Sequence, residues 1–514
     1  MDVSKLKLHD TAGLRWGENV SPFFDATLAR LEAAIATLPA YGWMSDTASW
    51  PPAPLPPPTV PRLTFEPYRA GADPADAGVA ALAQAVAAGM IRSIDGVEAL
   101  VRRTDRLDPQ LHVWAGFDGG RARQQARECD EAIRAGGSLG PLHGVPLGIK
   151  DIIAVEGWPT AANSRVAPAD WMLPEDADAV ALLRQAGALI LGKTATTEYA
   201  YADPAPTVNP WNPAHTPGGS SSGSAAGVAA GLMSGALGTQ TAGSVLRPAA
   251  FCGIVGFKPT TERISRTGVV PLARSLDHVG TLTRSVADAA LLYAVLSDAT
   301  ETATAQRPPR LVFCPDLLSG RTDDATRAAL PSAARALEQA GAEVQPVGGR
   351  LGRSLTETFC DILLATHQVI MAAEAAAQHL DAHPNDIDDL GPRLRAIVQV
   401  GALVPAHVLL AAQSCRVQCW RTWQEDTDLQ RYDALIVPAA PGAAPKGLES
   451  TGDASLNAPW SLLGLPAITI PIALTENGLP LGMQLVASYG EDARLLTAAH
   501  WCEQAIGFDA RPVT

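Results

Sequence analysis

Lysine is scarce in this 514-residue chain, occurring only at Lys5, Lys7, Lys150, Lys193, Lys258 and Lys446. The formal charge is -14. An acidic chain of this kind is a poor partner for nucleic-acid backbones or anionic membranes. No run of roughly 18 or more consecutive apolar residues occurs, so no spanning helix is expected. The opening "MDVSKLKLHDTAGLRWGENV" lacks the basic-then-apolar pattern of a secretory signal. Cysteine is sparse, odd in number and scattered; Cys415 and Cys419 are spaced like one helix face, not like a metal or redox motif. A reduced, cytoplasmic setting is the expectation, with no metal, and no internal repeat is present.

What the chain does have is an ordinary globular composition, 47% hydrophobic and 18% charged, with length for one large core or two domains. Ser21 and Pro22 read as the start of a helix whose Leu28, Leu31, Ile35 and Leu38 recur at helical spacing. A proline-rich segment, Pro51 to Pro61, reads as extended chain. Residues 1–75 are expected to be an extension that wraps onto the main body or makes an oligomer contact, as in a homodimer. Residues 76–135 read as helical, with a break at Asp108-Pro109. From about residue 140 short apolar strands alternate with amphipathic helices. That alternation predicts an α/β fold with a central mixed β-sheet covered by helices on both faces. Residues 355–430 read as mostly helical.

Two motifs match on paper only. "GALILGKT" (Gly187 to Thr194) has the spacing of a phosphate loop, yet its middle residues are those of a buried strand, and the helix precedes it. "GSSSG" (Gly219 to Gly223) has the spacing of a nucleophile elbow with Ser221 at its centre, but Pro210, Pro213 and Pro217 forbid the strand that must precede it. No histidine has a compelling setting for a serine triad; His143 and His278 are the nearest candidates.

A different set holds together. In "HGVPLGIKD", Val145, Leu147 and Ile149 alternate onto one strand face and Pro146, Gly148 and Lys150 share the other. A lysine in that setting is either a salt bridge at a strand end or a desolvated base, neutral near pH 7. In "TAGS", Thr241 to Ser244, consecutive backbone N–H groups before a serine can form an oxyanion hole.

The ordered series "GVPLGIKD", "GKTATTEYAY", "NPWNPAHTPGGSSSGSAAGVAAG" and "GTQTAGSVLRPAAFCGIVGFKPT", followed by "PWSLLGLPAITIPIALTENGLPLGMQLVA", resembles the amidase signature family over roughly residues 76–514. The resemblance implies one catalytic domain over 76–514 with the amidase signature fold. It implies a Ser-Ser-Lys triad: Ser244 as nucleophile, Ser220, 24 positions earlier, as the bridging serine after a cis peptide bond, and Lys150 as base. The oxyanion would be held by the amides of Thr241, Ala242, Gly243 and Ser244. The helix starting near Gly223 would point its positive end at Ser220 and disfavour an ammonium. No cofactor is implied.

Two departures stand out. Gln240 replaces the family's usual aspartate and Leu246 its arginine, lost together; Arg247 follows one position later. The triad positions are intact. The leading expectation is an amidase that hydrolyses a small-molecule amide or anilide, with esters or carbamates open to the same chemistry. The alternative is a glutamine-amidotransferase subunit of the kind that acts on misacylated glutamyl-tRNA and needs partner chains. A third reading, a noncatalytic binding protein, requires a lost triad residue. The acyl site is expected from residues 355–430, from around Tyr199 and from "GLESTGDASLN", and to favour an aryl or aliphatic group.

Overall fold

The computed structural model describes residues 20–38, 50–51, 53–137, 140–166, 175–302, 307–314, 319–347, 356–426 and 431–513. Eleven strands form one mixed sheet: β2 (Trp114–Phe117), β3 (Pro146–Lys150), β4 (Leu189–Thr194), β5 (Gly235–Gln240), β6 (Val255–Lys258), β7 (His278–Thr283), β9 (Arg310–Phe313), β10 (Glu343–Pro346), β11 (Ala434–Pro438), β12 (Ala467–Leu474) and β13 (Pro480–Val486). Their order is β10-β9-β11-β13-β12-β6-β7-β5-β3-β4-β2. At the heart of the site, β5, β3 and β4 are mutually parallel. Their carboxyl ends therefore share one edge, where ligands of α/β sheets collect.

Strand alternation builds two cores, one on each face. Ile190 of β4 and Leu237 of β5 belong to the larger cluster, while Leu189, Leu191 and Ala236 belong to the other. The "GALILGKT" stretch is thus a buried strand with no room for phosphate. Strand β5 (GALGTQ) escapes the pattern of apolar strands because it is glycine-rich. Its Gly238 has a packing reason: a Cβ there would lie 2.7 Å from Ser221 Oγ.

Seven helices shape the site: α1 (Phe24–Thr37), α2 (Ser222–Ala230), α3 (Leu246–Cys252), α4 (Glu357–Ala382), α5 (Pro392–Gly401), α6 (Ala406–Asp426) and α7 (Ala458–Leu462). Helix α1 starts two residues later than expected. Ser21 does not cap it; its hydroxyl donates to the Pro392 carbonyl and its amide donates to Gln399 Oε1 at 2.9 Å, pinning the entry to α5. Phe24, Leu28, Leu31 and Ile35 then bury one face of α1 in the larger core. Helix α4 is long and apolar enough, by length and composition, to cross a membrane. Its Leu363, Val369, Ile370 and Ala372 are instead buried in the larger core.

The expected break at Asp108-Pro109 does not occur. The helix Ser93–Leu111 runs through Pro109 and stops at His112, which takes a left-handed conformation (φ 51°). Pro109 sits in the last turn, and the Asp108 carboxylate accepts from the Val113 amide at 2.7 Å just beyond, holding the helix end. The proline-rich segment lies on the body. Its end, β1 (Thr59–Pro61), pairs in parallel with β8 (Thr300–Thr302), and the Pro56 carbonyl accepts from Arg263 at 2.6 Å.

Candidate active site

Lys150 ends β3 and is fully buried. Its Nζ lies 2.7 Å from Ser220 Oγ and 2.7 Å from Thr239 Oγ1. Burial pushes the ammonium well below the ordinary lysine range, and the Asp277 charge only partly opposes this. The other two lysines in apolar stretches differ. Lys193 pairs with Asp151 at 3.1 Å, and Lys258 donates to the carbonyls of Leu465 and Pro259. Of the three, Lys150 is the one that faces a serine hydroxyl.

Ser220 sits in a buried loop. The Gly219–Ser220 peptide bond is cis. The Ser220 carbonyl accepts from Thr197 at 3.2 Å and from Ser222 at 2.9 Å, and Ser222 Oγ donates to Gly218 at 2.8 Å. A Cβ at Gly219 would lie 2.7 Å from the Thr451 methyl. Ser221, the centre of the elbow-like motif, is fully buried and turned onto β5, its hydroxyl donating to the Thr239 carbonyl at 3.2 Å.

Ser244 follows β5 in a tight turn tied to the same loop, its carbonyl accepting from the Ser221 amide at 3.3 Å. The turn's own carbonyls are held by named donors. His367 Nε2 donates to Thr241 at 3.0 Å and Ser461 Oγ to Ala242 at 2.8 Å. Thr241 Oγ1 donates to Asp277 at 2.6 Å. Burial lowers His367 to about 4, so it is a neutral imidazole with the proton on Nε2.

Gln240 explains the first departure. Its Oε1 accepts from the Val245 and Leu246 amides at 2.9 and 3.0 Å, capping α3, while its Nε2 donates to Ser461 at 3.0 Å. The next amides back, Thr241 to Ser244, have no such acceptor among the described residues. Arg247 does not restore an ion pair with position 240. It donates to the Gly219 carbonyl at 2.6 Å, the Gly452 carbonyl at 2.7 Å and Thr451 Oγ1 at 3.1 Å. Burial pushes it down to about 10. Leu246, in the arginine's place, is fully buried.

A cavity of about 780 Å³ opens over Ser244. Helix α4 lines it with Leu364, His367 and Met371, and the Ser450–Ser455 loop closes another side. Tyr199 does not reach it. It is buried, with its hydroxyl on the Val166 carbonyl, and Tyr201 lines the wall instead. The lining is not apolar throughout: Arg30, Arg321, Asp361 and Asp453 share it with apolar groups. Neither histidine candidate joins the serines. His143 bonds the Cys129 carbonyl and His278 the Gln240 carbonyl, both at 3.2 Å. Thr239, His367 and Ser461 carry no motif signal, since each acts through position alone.

The mixed sheet places a buried lysine beside two serine turns, the arrangement expected of an amidase signature protein. The comparisons agree. The Amidase family model matches residues 95–496, and the chain belongs to the amidase signature family. It is 34% identical to a glutamyl-tRNA(Gln) amidotransferase subunit of Synechococcus sp. (strain WH7803), over 82% of this chain and 96% of that protein. It is equally 34% identical to the putative amidase AmiD of Mycobacterium tuberculosis (strain ATCC 25618 / H37Rv), over 82% and 92%. A crystal structure described as an amidase superposes with a TM-score of 0.75 at 32% identity, covering 83% of this chain and 99% of that one.

Proposed function

We propose that this enzyme is a free-standing amidase that hydrolyses a small-molecule amide or anilide through an acyl-enzyme on Ser244. The observation that carries this reading is the 2.7 Å contact between Lys150 Nζ and Ser220 Oγ in a buried setting. Neutral Lys150 takes the Ser220 proton as Ser220 takes that of Ser244, and Ser244 Oγ bonds to the amide carbon. The amides of Thr241 to Ser244 hold the oxyanion. The relay then reverses, the C–N bond breaks, and the leaving amine departs protonated. Water, deprotonated by the same relay, releases the carboxylic acid and restores Ser244.

The experiment is turnover of a panel of amides, anilides, esters and carbamates by wild type and Ser244→Ala. Loss of turnover of at least about 10³-fold is expected; retained turnover in Ser244→Ala overturns the nucleophile assignment. The amidotransferase reading is favoured by the 34% identity to such a protein. It predicts no hydrolysis by the chain purified alone. Against it stands the cavity wall built by the chain's own α1, through Thr27, Ala33 and Thr37.

A further inference from the structure

Helix α1 lies outside the segment matched to the family, residues 95–496, yet it forms one wall of the cavity over Ser244. Phe24, Leu28, Leu31 and Ile35 are buried in the core, which fixes the helix beside the cavity. It lines the cavity with Arg30 beside small residues, the exposed Ala33 and Thr37 and the buried Ala34. Tyr201 lines the same cavity.

The charges on this wall are unequally committed. Arg321 and Asp361 neutralise each other at 3.0 Å. Arg247 is held by the carbonyls and hydroxyl described above. The Asp453 carboxylate accepts from the Ser455 amide at 2.8 Å and hydroxyl at 2.9 Å. Arg30 differs: its guanidinium donates to Thr27 Oγ1 at 3.2 Å and meets no carboxylate among the described residues. Burial pushes the Tyr201 phenol up to about 12, with Arg30 and Arg393 opposing and Asp203 adding to the rise, so it stays an O–H donor; the Asp203 carboxylate is itself held by the Arg393 and Leu394 amides. A guanidinium fork and a phenol facing one cavity are donors in want of an anionic acceptor.

We propose that this enzyme selects amides that carry a carboxylate remote from the scissile bond, bound by Arg30 and Tyr201. This rests on the Ser244 reading of the site. Arg30 and Tyr201 are specificity residues and take no part in bond cleavage. Arg30 is exposed, but the helix that carries it is anchored in the core, which keeps Arg30 at the cavity.

The test uses length-matched probes in the full-length protein. On the acyl side these are glutaric acid mono-4-nitroanilide, pentanoic acid 4-nitroanilide and 5-aminopentanoic acid 4-nitroanilide. On the amine side they are 4-acetamidobutyrate and N-butylacetamide. Binding to Ser244→Ala is measured by calorimetry, independently of catalysis, and kcat/KM is measured in wild type. The carboxylate probe of at least one set is expected to be preferred by roughly tenfold, about one charge-assisted contact. Arg30→Gln should erase that preference through KM, and Arg30→Glu should shift it toward the ammonium probe. Preferences below about twofold in both sets, or a preference unmoved by Arg30→Gln and Arg30→Glu, overturn the proposal. Retained turnover in Ser244→Ala instead overturns the Ser244 reading, so the two failures are distinct.

Discussion

Lys150 Nζ and Ser220 Oγ stand 2.7 Å apart with both side chains buried. A lysine so placed is a base only when neutral. Burial depresses its pKa, so the neutral form exists above that lowered value. The kcat/KM profile should therefore rise through the lowered pKa and be flat well before the ordinary lysine value of about 10.4. Lys150→Met should lower kcat/KM by about 10²–10⁴-fold and abolish that acid limb. Stability follows the same sign: the unfolded chain holds this proton up to the ordinary value and the folded chain does not, so stability rises with pH across that window. A profile whose acid limb lies above pH ~9 would count against a neutral Lys150.

Ser220 and Ser221 are adjacent, and the proposed mechanism assigns them opposite consequences. Ser220→Ala removes the bridge between Lys150 and Ser244, so kcat should collapse with the fold retained. Ser221→Ala leaves the Thr239 amide, which donates to Ser221 Oγ at 3.3 Å, without its acceptor. It should lower stability by about 1–3 kcal/mol while keeping most of kcat. Parallel denaturant melts and initial rates separate the two. The reverse ranking would restore Ser221 as an elbow nucleophile.

What depends on residue type and order is carried by the sequence, and the proposed site is of that kind. Lys150, Ser220 and Ser244 follow from the ordered motifs that carry the family resemblance, and the strands β3, β4, β11, β12 and β13 from apolar runs. Strand β5 is not legible, because its glycines are dictated by the serine loop packed over it, a tertiary cause absent from local pattern. Tyr199 and Tyr201 are indistinguishable in sequence because loop residues carry no periodicity; the left-handed backbone at Tyr199 (φ 44°) sets which tyrosine faces the cavity. The cavity role of α1 is hidden for a similar reason. Thr27 and Arg30 look like any solvent face of an amphipathic helix until the cavity beside them is seen.

Arg247 ties three parts of the site together through Gly219, Thr451 and Gly452. Arg247→Met takes its donors from the buried Gly219 carbonyl and the half-buried Gly452 carbonyl and should cost about 2–4 kcal/mol of stability. Arg247→Lys should not restore it, because a point charge cannot reproduce a fork that reaches the Gly219 and Gly452 carbonyls at once. Urea unfolding of the three proteins checks this. Equal stability in Arg247→Lys and wild type would mean that charge, not geometry, is what the site requires.

Asp277 holds the turn that precedes Ser244 by accepting from Thr241 Oγ1 at 2.6 Å and from the Leu272 and Ala273 amides at 3.0 and 3.1 Å. Burial raises its carboxyl to about 6, against the pull of these donors. The folded protein therefore holds a proton here that the unfolded chain releases near pH ~4. Stability from this group is present below that unfolded value and declines as pH rises toward about 6. Asp277→Asn cannot titrate, and with one side-chain acceptor in place of two it cannot accept from both the Thr241 hydroxyl and the two backbone N–H groups, so it should be less stable at every pH. The gap between wild type and Asp277→Asn should narrow as pH rises through that window and stay constant above it. Unfolding free energies across the window decide the matter: a gap that widens with pH would show that the donors, not burial, govern this carboxylate.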